Sequence, residues 1–95
     1  MYFVVLVTTK YTSLEEAKAK APEDIAAHVA HSREAHERGD LVMAGAFLDH
    51  PEEPVSTMAV LTSRRAAEEY VQGDPFVRKQ MVSGWEIREW ANLLP

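Results

Sequence analysis

Ninety-five residues, 46% apolar and 26% charged, describe one folded domain with a modest core, since a chain this short buries only about 60–65% of its unfolded surface. Fifteen acidic residues against 10 basic ones give a formal net charge of −5, and no basic cluster exceeds Arg64-Arg65, so the counterion release that drives nucleic-acid binding is missing. With no cysteine, disulfides, thiolate nucleophiles and zinc–sulfur sites are excluded together.

The first segment, Tyr2 to Thr9, is β-branched and aromatic almost throughout, which suits a strand covered on both faces. Its apolar run is too short for a signal-peptide core or a membrane span and has no basic residues before it, so a cytoplasmic location is expected. Ser13-Leu14-Glu15-Glu16 has capping-box spacing, and a helical pattern resumes at Pro22 and runs to Arg38, with Gly39 as its stop. Leu41 to Leu48 reads as the second strand. His50-Pro51-Glu52-Glu53-Pro54 is a loop, because two prolines remove ladder donors. Val55 to Thr62 reads as the third strand, followed by a helix that Ser63 caps and Gly73 ends. Asp74 then caps a short turn with Pro75 at its first position, carrying Phe76, Val77 and Met81 inward. Gly84 to Trp90 alternates apolar and charged residues, the pattern of a half-buried final strand.

The order β-α-β-β-α-β predicts an α+β, ferredoxin-like fold in a single domain over 1–95: four antiparallel strands with the helices on one face. A bare apolar sheet face on so small a domain is an aggregation hazard, so the sheets of two chains are expected to pair as a homodimer.

His28, in the long helix, and Asp74, before Pro75, supply the residue types of a proton-transfer pair. A carboxylate that accepts the Nδ1–H of an imidazole leaves Nε2 free as a base. Asp before Pro is also a common helix cap, and one carboxylate can fill both roles. Three histidines on one helix, His28, His31 and His36, raise the question of a metal; no acidic residue there offers a third ligand, Glu34 pointing elsewhere, and none is expected. His31 and His36 read as exposed helix residues and His50 as a loop residue. Ser56, Thr57 and Arg78 are placed to orient substrate oxygens, and Tyr2, Phe3, Phe47 and above all Phe76 to line a small aromatic pocket.

Several of these segments together resemble the YCII-related family: the valine-rich opening strand, the helix histidine, Gly39-Asp40-Leu41-Val42-Met43-Ala44-Gly45, and Gly73-Asp74-Pro75-Phe76 ahead of a Trp-containing last strand. The resemblance spans nearly the whole chain. It implies a dimeric α/β barrel with a His–Asp dyad, which falls on His28 and Asp74. It also implies a small aromatic substrate and a lyase activity without cofactor, dehydrochlorination of a chlorinated hydroxyhydroquinone to a hydroxyquinone. Many relatives have Gly-Pro where this chain has Gly45-Ala46. The same dyad also suits a muconolactone-isomerase-like reaction, and the same fold a non-catalytic ligand-binding or regulatory dimer.

Overall fold

In the computed structural model, which describes residues 1–94, local signals set most element boundaries. The order is β1 (Tyr2–Thr9), α1 (Leu14–Lys20), α2 (Pro22–Glu37), β2 (Leu41–Ala46), β3 (Ser56–Leu61), α3 (Arg64–Gly73), α4 (Pro75–Arg78) and β4 (Val82–Trp90). Ser13 caps α1 by accepting from the Glu16 N–H, and Ser63 caps α3 by accepting from the Ala66 N–H. Gly39, at φ 84°, closes α2. Its N–H reaches the His36 carbonyl and that of Asp40 the Ala35 carbonyl, the two bonds of a Schellman motif, which a left-handed glycine permits.

The four strands form one antiparallel sheet in the order β2-β3-β1-β4, the ferredoxin-like α+β arrangement expected from the element order. Alternation along β1 turns Val5 and Val7 towards the helices, opposite Ala59 and Thr57 of β3, and places Val4 and Leu6 on the other face. Helix α3 supplies Ala66, Ala67, Tyr70 and Val71 to the same core, which Leu41 and Leu61 complete. A second small cluster, Tyr11, Ala17, Ala21 and Phe76, joins α1 and its flanking residues to α4. Among the described residues no helix is long and apolar enough to cross a membrane.

Several boundaries differ from expectation, the long helix ending at Glu37 and the third strand at Leu61, each one residue short. The second strand stops at Ala46, with Phe47 half exposed and Leu48 largely so, because Val55, the residue that would face Leu48, is diverted from it. Val55 accepts from the Thr9 N–H at 2.8 Å and donates to the Tyr11 carbonyl at 3.0 Å, extending the β1 side and starting β3 one residue later than predicted. The last strand begins two residues early, at Val82, which pairs with Thr9 beyond a bulge. It is a sheet edge, so Trp85 and Trp90 are each about half exposed, less buried than their alternation suggests.

Candidate active site

Helix α2 carries Ile25, His28, Val29 and Ser32 on one side, spaced as a single helical face, and this face does not close down on the sheet. Opposite it, β2 presents Ala44 and Ala46, and β3 presents Thr57, side chains too short to fill the gap. The result is a cavity of about 320 Å³, at the lower end of the range for small-molecule sites, floored by Val7 and Thr9 and closed at one end by Tyr11 and Phe76.

Asp74 enters this cavity from the junction of α3 and α4 and is only 3% exposed. Its Oδ1 accepts the Phe76 N–H at 2.9 Å, the cap that starts α4, and lies 3.4 Å from Nδ1 of His28. One carboxylate oxygen therefore serves both contacts. The imidazole distance is at the long edge of hydrogen-bond reach. With Nδ1–H directed at the carboxylate, Nε2 carries the free lone pair. Phe76, fixed by the backbone next to Asp74, packs its ring 5.6 Å from the His28 ring and edge-on to Tyr11 at 5.9 Å.

The separation of α2 from α3 is set one turn beyond His28. Contrary to the exposed position expected for it, His31 is half buried: its Nε2–H donates to the Tyr70 carbonyl at 2.9 Å and its ring stacks on Tyr70 at 5.0 Å. A Cβ on Gly73 would lie 2.5 Å from Cε1 of that ring, so glycine is required here for close approach and not for its backbone angle. Asp24 and Lys79 tie the start of α2 to the end of α4 at 2.6 Å, which raises the Lys79 pKa through the hydrogen bond and charge of Asp24.

The remaining sequence candidates are scattered. Ser56 alternates away from Thr57 and faces a different groove, and Arg78, past the turn of α4, is exposed beside Gly73, Pro75 and Lys79; the structure brings neither to the dyad. Of the four aromatics proposed for the pocket, only Phe76 lines it. Phe3 sits under Arg64, Tyr2 beside Trp90, and Phe47 on the surface. The three α2 histidines point to three separate partners, His36 to the Leu41 carbonyl. Among the described residues the one group able to gather on an ion is His50, Glu52 and Glu53, all exposed. Ser32 and Tyr70 were not singled out from sequence as site residues; Ser32 shares the His28 face, but nothing local in the sequence signals that Tyr70 reaches it.

In solved structures the same fold recurs at low identity. The 5-chloro-2-hydroxyhydroquinone dehydrochlorinase TftG from Burkholderia phenoliruptrix AC1100, in complex with 2,5-dihydroxybenzoquinone, is 17% identical, with a TM-score of 0.65 over 96% of this chain and 94% of that one. SnoaB, a cofactor-independent oxygenase from Streptomyces nogalater, is 14% identical, with a TM-score of 0.54 over 99% and 95% of the two chains. No curated protein matches the sequence. The YCII-related domain matches residues 1–91, nearly the full length, and the chain belongs to that family.

Proposed function

We propose that the protein is a small cofactor-independent lyase in which His28, oriented by Asp74, is the general base acting on a hydroxylated aromatic ring. The observation that carries this reading is the buried carboxylate 3.4 Å from His28 Nδ1 in a mostly apolar cavity of ring size. A chlorinated hydroxyhydroquinone is the substrate we favour, by likeness to TftG. One ring hydroxyl gives its proton to His28, which returns it to the chlorine-bearing carbon. Loss of a second hydroxyl proton then expels chloride. The balance is one hydroxyquinone and one HCl per turnover, with no oxidant or reductant. A positioned base contributes about 10²–10⁴ in rate, and alignment of the ring against Phe76 and Tyr11 supplies further acceleration.

Within the same reading the sheet face opposite the helices, with Val4, Leu6, Met43, Met58 and Trp90, pairs with that of a second copy. Sedimentation of the purified protein at a dimer mass supports this, and a monomer at all concentrations contradicts it.

The test of function is incubation with 5-chloro-2-hydroxyhydroquinone, following chloride and the organic product together. Chloride and a hydroxyquinone in equal amounts support the lyase. A product of unchanged mass from a lactone or dienol substrate moves the assignment to an isomerase of muconolactone type. Tight ring binding without turnover moves it to a binding module.

A further inference from the structure

Two polar stations face the cavity from α2, one turn apart. The first is His28 with Asp74; the second is Ser32, whose Oγ lies 2.7 Å from the Tyr70 hydroxyl. Tyr70 is 5% exposed, so its hydroxyl needs a partner, and Ser32 is the one it has among the described residues. If Ser32 were the donor, the buried phenol proton would be left without an acceptor, which is the costlier arrangement. Burial pushes the Tyr70 pKa up against the lowering effect of the Ser32 hydrogen bond, with a smaller upward push from the charge of Asp74, so the phenol stays protonated and able to donate. When Tyr70 donates to Ser32, the serine keeps its own proton and a lone pair for a ligand. The other hydroxyls of the cavity differ. Thr9 Oγ1 is engaged by the Val55 carbonyl and the Tyr11 N–H, while Thr57 projects from β3 on the opposite wall.

We infer that Ser32, held by Tyr70, is the specificity-determining anchor for a second ring oxygen, so that the site selects rings bearing oxygens on two separated carbons. This rests on the proposed dyad reading, which places the first oxygen at His28. Residues i and i+4 of a helix have Cβ atoms about 5–6 Å apart, a separation comparable with that between oxygens on opposite carbons of a benzene ring. The chemistry also asks for it, since chloride departs only when a second hydroxyl has lost its proton. Ser32 is a positioning residue for that oxygen, and Tyr70 positions Ser32.

The test is calorimetric titration of 2,5-dihydroxybenzoquinone and of phenol into wild type, Ser32→Ala, Tyr70→Phe and Thr57→Val, each checked for an unchanged melting transition. Loss of one neutral hydrogen bond weakens binding by roughly five- to tenfold. We expect that loss for the quinone in Ser32→Ala and Tyr70→Phe, a smaller one in Thr57→Val, and phenol affinity in Ser32→Ala and Tyr70→Phe equal to that of wild type. Equal quinone affinity in all four proteins overturns the anchor and leaves the dyad reading standing, as does a loss confined to Thr57→Val. No quinone binding by wild type overturns both.

Discussion

Two recesses of the molecule contrast, and the larger of them is the less suited to chemistry. A groove of about 590 Å³ runs between Ser13–Lys18 and Ala46–Ser56, walled by His50, Glu53 and other residues of an exposed loop. His50 lies 3.6 Å from Asp49 and 3.8 Å from Glu52, all three well exposed, where such pairs contribute little and hold no fixed geometry. The smaller cavity holds its polar groups from behind: the Phe76 N–H donates to Asp74, a buried phenol backs Ser32, and a tight helix contact sets the distance between α2 and α3. What marks a site here is burial and tethering of a few groups, not volume.

Substitutions in the two recesses should therefore separate sharply. The largest expected effect is in His28→Ala, which should lose about 10²–10⁴ in turnover while keeping its fold, since His28 is not in the core. Asp74→Asn should follow, towards the lower end of that range, because asparagine caps α4 as well as aspartate but cannot hold an imidazolium. Asp74→Ala should add a stability loss of about 0.5–2 kcal/mol, seen as a lower melting temperature that the Asn variant lacks.

Gly73→Ala drives a methyl into the His31 ring and should cost about 1–3 kcal/mol, with reduced turnover as α2 is pushed from Asp74. Most of that cost should vanish in a His31→Ala background, a non-additivity that thermal unfolding of the four proteins would measure. A smaller effect concerns alkali. Burial raises the Tyr70 pKa, so its contribution is complete below the ordinary tyrosine value of about 10 and is lost as pH rises through the folded value. Melting temperature should fall above about pH 10, and less steeply in Tyr70→Phe. His50→Ala, in the larger recess, should change neither turnover nor stability, and a large effect there would erase the contrast between the recesses.

Most of the fold was legible because its signals are local: serine caps at Ser13 and Ser63, Gly39 after α2, prolines at the first positions of α2 and α4. The types at His28 and Asp74 were legible too, but their meeting depends on how α2 packs across α3, which no spacing encodes. The same holds for what was misjudged. Phe47 and Leu48 have strand composition, but the ladder ends where Phe47 donates to the Ser56 carbonyl, because Val55, next in register, bonds to Thr9 and Tyr11 instead. Ser56 differs from Thr57 only by strand parity, and that parity follows from register. His31 looked like a surface residue because its partner, the Tyr70 carbonyl, lies 39 positions away. In each case a backbone group from another element decides where the side chain lies.

The measurement that bears most directly on the central claim is the rate of chloride release from 5-chloro-2-hydroxyhydroquinone by wild type, His28→Ala and Asp74→Asn at equal concentrations of folded protein. Release that falls by at least about 10² in His28→Ala, and less in Asp74→Asn, is the predicted result. Release at the wild-type rate by His28→Ala would contradict the dyad as the base.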